Sequence, residues 1–232
     1  MPLRQWLKSA NFAIEGILHA AKTQRHLRYH LYAAAFVLLL SYAVGVSRME
    51  FLIIALAVIA VLFAEMLNTA VEAMVDLLSP EHNETAKTAK DVAAGAVLIT
   101  AMGSVIIGFI VLYPYVRDLF HEGLSIAKHS REEIAVIAFV LVLIVVVLLK
   151  SHFGKGHPLS GGMPSGHAAF AFSLWVAVTY TTESFIASLL SLILALLIAQ
   201  SRVTTKVHRA REVILGGLIG ASLTFLLFQI FT

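Results

Sequence analysis

Apolar and polar positions divide the chain into blocks of very different periodicity. Over residues 1–28, Trp6, Leu7, Phe12, Ile14, Ile17 and Leu18 alternate with Arg4, Lys8, Glu15, Lys22 and Arg25. Such a mixture is too polar to cross a bilayer and predicts an amphipathic helix lying at a membrane interface. Long apolar runs follow. A bilayer core of about 30 Å needs roughly 17–25 apolar residues in a helix. Stretches 29–46, 49–78, 92–115 and 134–149 approach or meet that length, and three more lie at 167–181, 185–199 and 213–231. The pattern predicts an all-α, polytopic membrane protein of about seven transmembrane helices preceded by the interfacial helix.

Composition supports this reading. Of 232 residues, 59% are hydrophobic and only 13% charged, and the mean hydropathy is +0.87. Soluble domains carry about 25% charged residues. With no cysteine, disulfide and thiolate chemistry are excluded. The net charge of +3 does not point to nucleic acid, because the basic residues flank apolar stretches, as topology and anionic headgroups require. The N-terminal segment is too polar for a secretory signal peptide. With the N-terminus placed in the cytoplasm, only Arg48, Arg117, Lys128 and Arg131, four of the 17 basic residues, fall on the far side. Residues 116–133, polar and mixed in charge, then form an external boundary between two modules.

The second apolar run carries polar residues where lipid should exclude them. Glu65, Asn68, Thr69, Glu72 and Asp76 share one helical face. An intramembrane carboxylate costs several kcal/mol unless paired, solvated or bound to a cation. Lys90 and Asp91 open the next run on the same side. Acids beside a lysine and a helix N-terminus are suited to a Mg-nucleotide, since Mg²⁺ takes one or two carboxylates plus phosphate oxygens. A polar seam joining helices is the competing explanation.

These residues resemble a known family. The stretch from Glu65 to Asp76 (EMLNTAVEAMVD) and the block KDVAAGAV from Lys90 are similar to the signatures of the small bacterial diacylglycerol kinase and undecaprenol kinase family, as are FAIEGI from Phe12 and TQRHLRYH from Thr23. The resemblance covers residues 1–115. It implies a trimeric three-span kinase that moves phosphate from Mg-ATP to a lipid alcohol at the cytoplasmic surface. It further implies Glu65 as general base, Glu72 as Mg²⁺ ligand, Asn68 as a residue ordering the nucleotide site, and Lys90 and Asp91 as nucleotide contacts. Gln24 stands where many members have an acidic metal ligand, and an amide oxygen coordinates without charge.

The second module holds three polar clusters at the ends of its runs: Lys150 with His152 and His157, the segment from Gly161 to His167, and Ser201–Arg202 with His208 and Glu212. Pro164 can precede or open a helix, which would put Ser165 and the amides of Gly166 and His167 at a helix N-terminus, a ready anion site. Lys150 and Arg202 add positive charge. Two histidines can then serve as nucleophile and acid, and Glu212, one turn after His208, can hold its imidazole. A zinc site built from His152, His157, His167 and His208 lacks both a thiol and a clean i, i+4 histidine pair. The remaining histidines, His19, His26, His30, His121 and His129, read as interfacial.

Together these clusters resemble the type 2 phosphatidic acid phosphatase family, whose pattern is K-x6-RP, PSGH and SR-x5-H-x3-D. PSGH from Pro164 matches in full, and Ser201, Arg202 and His208 match at the right spacing. His157 stands in place of the first motif's Arg, and Glu212 in place of the third motif's Asp. Only four of that fold's six helices fit into residues 134–232. The resemblance implies that His208 attacks phosphorus, His167 protonates the leaving group, Glu212 orients His208, and Lys150, His157, Ser165, Gly166 and Arg202 hold the phosphate, without a metal.

The expectation is therefore a three-span kinase module over 1–115, a linker over 116–133 and a truncated phosphatase module over 134–232, in a bacterial inner membrane with both sites facing the cytoplasm. An undecaprenol kinase beside an undecaprenyl diphosphate phosphatase is coherent, because both make undecaprenyl phosphate. A diacylglycerol kinase fused to a phosphatidylglycerophosphate or phosphatidate phosphatase is the second reading. A non-catalytic scaffold or transporter is the third, although transporter sites lie near the midplane.

Overall fold

The structure is a computed structural model that describes residues 2–81, 83–122, 126–153 and 162–232. Among them there are eight helices and no strand: α1 (Pro2–Thr23), α2 (Arg25–Ala43), α3 (Arg48–Leu78), α4 (Glu84–Glu122), α5 (Arg131–Phe153), α6 (Gly166–Thr182), α7 (Phe185–Thr204) and α8 (Ala210–Phe231). The chain forms two compact units. One is Gln24–Ala127, and the other combines Met1–Thr23 with Lys128–Thr232.

In the Gln24–Ala127 unit, α2 and α4 both pack on α3. A tight turn joins α2 to α3 through Gly45, whose φ of +71° suits a residue without Cβ. Ser47 then caps α3 reciprocally with Glu50: the Glu50 amide donates to Ser47 Oγ, and the Ser47 amide donates to Glu50 Oε2 at 2.8 Å. The Tyr115 hydroxyl donates to the same carboxylate at 2.7 Å, fixing α4 to the start of α3. Ile54, Val61 and Glu65 are the buried positions of α3, at spacings of one inward face. Its other faces stay apolar and exposed (Leu56, Ile59, Phe63, Leu67), as do those of α4 (Val105, Ile106, Phe109). Apolar helix faces left unburied within the chain are suited to lipid or to further copies. Between α2, α3 and α4 lies an apolar cavity of about 630 Å³ reaching from His30 to Val116.

In the second unit α5 is the most buried helix, and α6 and α8 make the tightest pair. Gly216 and Gly220, one turn apart on α8, let the backbones approach. A Cβ on either would strike a carbonyl, that of Ser165 or that of Ala169. The buried hydroxyls of Ser173 and Thr224 bond to each other across this interface at 2.7 Å. The helices run antiparallel between two ends. At one end Arg131 pairs with Glu183, and the His129 amide donates to the Phe231 carbonyl. At the other, the Ser165 amide donates to the Glu212 carbonyl at 2.9 Å. α1 packs on α5 in the same unit; its Leu18, Ala20 and Ala21 are buried while Phe12, Ile14 and Ile17 stay exposed.

Among the described residues, five helices, α3, α4, α5, α7 and α8, are long and apolar enough by themselves to cross a membrane. The sequence reading expected seven spans. Two of those fall short of this measure for separate reasons. α6 has only 17 residues, and α2 carries Arg25, His26, Arg28 and His30 in its first turns.

Candidate active sites

The intramembrane acids of α3 meet residues from the start of α2. Glu65 is buried at 3% exposure, and its Oε1 lies 3.1 Å from His30 Nε2. One turn on, Asn68 Nδ2 donates to Glu72 Oε1 at 2.9 Å, and Gln24 Nε2 donates to Glu72 Oε2 at 3.2 Å. Gln24 precedes α2 in extended backbone, which aims its side chain across to α3. Farther along, Lys90 pairs with Asp76. Asp91 is exposed. The structure thus brings Gln24, Glu65, Asn68 and Glu72 onto one surface, joins Lys90 to it through Asp76, and leaves Asp91 at the edge. Asn68 Oδ1 is buried with no hydrogen-bond partner among the described residues. With the Glu72 carboxylate beside it, that oxygen offers hard donors of the kind Mg²⁺ takes.

His30 reads from the sequence as merely interfacial, yet its Nε2 lies against the carboxylate of the buried Glu65. The signal lay in its position six residues after Gln24 on a helix running back along α3. Sequence periodicity within α2 alone could not show it.

The second cluster gathers at one end of the α5–α8 bundle. His208, 4% exposed, lies between α7 and α8, with its amide donating to the Arg202 carbonyl at 3.0 Å. Its Nδ1 is 2.9 Å from Glu212 Oε2, and the Arg209 amide donates to the same oxygen. Nε2 is therefore the ring nitrogen left for chemistry. The Ser165–Glu212 backbone bond seats the start of α6 against the start of α8, where Gly166 is half-buried and His167 exposed. Lys150, in the last turn of α5, is 8% exposed, and its ammonium is within electrostatic reach of Glu212 and His167. Arg202 and His208 act on His167 in the same way. Ser165 Oγ and Arg202 Nε are buried with no partner among the described residues. Two orphaned donors beside a helix N-terminus and a buried lysine fit an oxyanion. His157 lies outside the described residues.

One chain therefore presents an acid–amide surface on an intramembrane helix and, in a separate unit, a histidine–carboxylate pair ringed by cations. That combination defines a polytopic membrane protein with two enzyme-like centres. The chain belongs to the prokaryotic diacylglycerol kinase family, which matches residues 11–112, and its residues 149–232 match the PAP2 superfamily. It joins a lipid-kinase module to a PAP2 phosphatase module. It is 41% identical over 112 residues to an undecaprenol kinase of Bacillus subtilis (strain 168), covering 48% of this chain and 91% of that one. A diacylglycerol kinase of Synechocystis sp. is 38% identical over 114 residues, 49% of this chain and 65% of the relative's length. The Escherichia coli (strain K12) diacylglycerol kinase is 28% identical over 109 residues, 47% of this chain and 89% of that one. No solved structure matches the chain. The kinase family uses ATP and generally a divalent metal.

Proposed function

We propose that this protein makes undecaprenyl phosphate by two routes: phosphorylation of undecaprenol by ATP in the 1–115 module, and removal of the terminal phosphate of undecaprenyl diphosphate in the 134–232 module. The observation that carries the reading is that each unit assembles its own polar set, one around Glu65 and Glu72, the other around His208 and Glu212. The similarity to an undecaprenol kinase favours a prenyl alcohol as acceptor.

In the kinase half, Glu65 takes the proton of the lipid hydroxyl. Its burial keeps water from competing, and His30 holds its orientation. Glu72, Asn68 and Gln24 would hold Mg²⁺, which when bound would neutralise phosphate charge. Lys90 and Asp91 contact the nucleotide, Lys90 exchanging part of its Asp76 pairing for phosphate. A trimer, as the family resemblance implies, lets neighbouring copies complete the site.

In the phosphatase half, Lys150, His157, Ser165, Gly166 and Arg202 hold the terminal phosphate. His208 Nε2 forms a bond to phosphorus as the bridging P–O bond breaks, and His167 gives its proton to the departing oxygen. Glu212 balances the positive imidazole that results. Water then cleaves the phosphohistidine, releasing phosphate without a metal.

The test is an assay of the purified protein with labelled ATP and a panel of lipid alcohols, and with labelled lipid diphosphates and phosphates. Transfer to undecaprenol and phosphate release from undecaprenyl diphosphate are expected. The similarity to a diacylglycerol kinase supports a second reading, in which diacylglycerol is the preferred acceptor and phosphatidylglycerophosphate or phosphatidate is the phosphatase substrate. That preference in the panel would replace the first reading.

A further inference from the structure

A base sealed from solvent must be relieved of its proton before it can act again. Glu65 is such a group. Its side chain is 4% exposed. Along α3 it lies two turns, about 10 Å, short of Glu72, where Gln24 meets that helix.

The polar groups around Glu65 can be accounted for one by one. On its apolar side is the cavity between α2, α3 and α4, whose polar lining side chains are His30, Ser104 and Tyr113. The Ser104 hydroxyl is committed to the backbone carbonyls of Thr100 and Ala57. Tyr113 lies toward the opposite end of α3, two residues before the tyrosine that bonds Glu50. On the polar side, the Thr69 hydroxyl donates to the backbone carbonyl of Glu65 itself at 2.9 Å, and the Asn68 amide donates to Glu72 at 2.9 Å. Neither a committed hydroxyl nor an amide takes up and releases protons near neutral pH, whereas imidazole does. His30 is left. Its Nε2 is 3.1 Å from Glu65 Oε1, a distance suited to direct proton transfer. With 29% of its side chain exposed against 4% for Glu65, the imidazole reaches from the buried carboxylate toward the surface. It sits about 7 Å along α2 from Arg25, the first residue of that helix, and one turn after the exposed His26.

We propose that His30 is the proton-relay residue of the kinase site, taking from Glu65 the proton of the lipid hydroxyl and passing it to water near the start of α2. This rests on the kinase reading above and goes beyond holding the carboxylate in place. In each turnover the lipid oxygen bonds to the γ-phosphorus, the bond from phosphorus to the bridging oxygen of ATP breaks, and the hydroxyl proton goes to Glu65. An imidazole carrying its hydrogen on Nδ1 takes that proton at Nε2. The imidazolium gives one proton to water, exchange with water restores the starting tautomer, and Glu65 is a carboxylate again.

The experiment measures transfer of labelled phosphate from Mg-ATP to undecaprenol in detergent for the wild type, His30→Gln, His30→Asn and Glu65→Gln, with and without added imidazole at fixed pH and ionic strength. Both amides keep a hydrogen-bond donor but relay no proton. They are expected to lower kcat about 10–100-fold with KM for the alcohol within about twofold, and added imidazole is expected to restore at least about fivefold. The wild type and Glu65→Gln should ignore imidazole, the latter because the base itself is missing. Activity within about twofold of wild type in His30→Gln overturns the relay. So does a loss in both amide variants that imidazole does not relieve, which is what a purely structural histidine would give, and so does equal stimulation of Glu65→Gln. A wild type that transfers no phosphate sinks the kinase reading and the relay with it, whereas an active wild type matched by His30→Gln sinks the relay alone.

Discussion

Replacing Glu212 by glutamine isolates one charge while keeping the shape of the site. The Glu212 carboxylate lies 2.9 Å from His208 Nδ1, with side-chain exposures of 13% and 1%. As His208 becomes phosphorylated its ring gains a positive charge. At an effective dielectric of about 20, unit charges about 4 Å apart attract by about 4 kcal/mol. Residual solvent screening at Glu212 reduces this to about 3 kcal/mol. The amide that Glu212→Gln introduces accepts a hydrogen bond but supplies no charge, so phosphate release should fall about 100-fold, nearly all of it in kcat. Glu212→Asp keeps the charge with a shorter reach and should lose about tenfold or less. The assay is steady-state phosphate release, with acid-quenched trapping of labelled phosphohistidine. Glu212→Gln turning over at more than about a third of the wild-type rate would refute the reasoning, because the carboxylate would then be serving only the Arg209 amide as a helix cap.

Glu65→Gln should lower lipid phosphorylation by about 10²–10⁴-fold, the range of a lost general base, while phosphatase turnover stays within about twofold; equal loss of both activities would indicate misfolding instead. Stripping divalent cations with a chelator should abolish phosphoryl transfer from ATP and leave phosphate release intact, measured on the same preparation. Gly220→Ala puts a methyl into the Ala169 carbonyl and should destabilise the α6–α8 pair by about 1–3 kcal/mol. A thermal melt in detergent checks this against Gly103→Ala, whose added Cβ meets nothing within 4 Å.

Both polar sets were visible in the sequence because lipid makes polar residues conspicuous. Glu65, Asn68 and Glu72 stand out in an apolar helix, and the PSGH segment stands out by its spacing from Arg202 and His208. The pairings were less visible. Gln24–Glu72 and His30–Glu65 join residues of two helices, and they depend on how far α2 runs back beside α3. The i, i+4 geometry of His208 and Glu212 is local, so it was legible. The packing of α1 on α5 was not, because residues 1–28 advertise an amphipathic face without naming what covers it, and alanines at a helix contact carry no charge or periodicity of their own.

We propose a sidedness from basic-residue bias combined with the course of each helix inside its own unit. α6 has too few residues to be recognised as a span by length, yet it runs from the Ser165–Glu212 end of its unit to the Arg131–Glu183 end, the same two ends that α5 connects. Seventeen residues rise about 26 Å, close to the core thickness, so we expect α6 to cross any bilayer that α5 crosses. α2 likewise runs from Glu72, which Gln24 meets, back to Phe51, whose ring packs on Tyr42. If α2 failed to cross while the six later helices did, basic residues would be shared almost evenly between the two sides. With α2 crossing, only Arg48, Arg117, Lys128 and Arg131 of the 17 lie outside, the asymmetry expected of cytoplasmic loops. We therefore expect both sites to face the cytoplasm, where polyprenyl diphosphate can be met before it crosses the bilayer. Single cysteines in this cysteine-free chain test it. Thr205→Cys, after α7, should resist a membrane-impermeant thiol reagent in intact cells and react after permeabilisation, whereas Ile126→Cys, before α5, should react at once. Immediate labelling at 205 with protection at 126 would put the phosphatase site outside and end the case for a shared compartment.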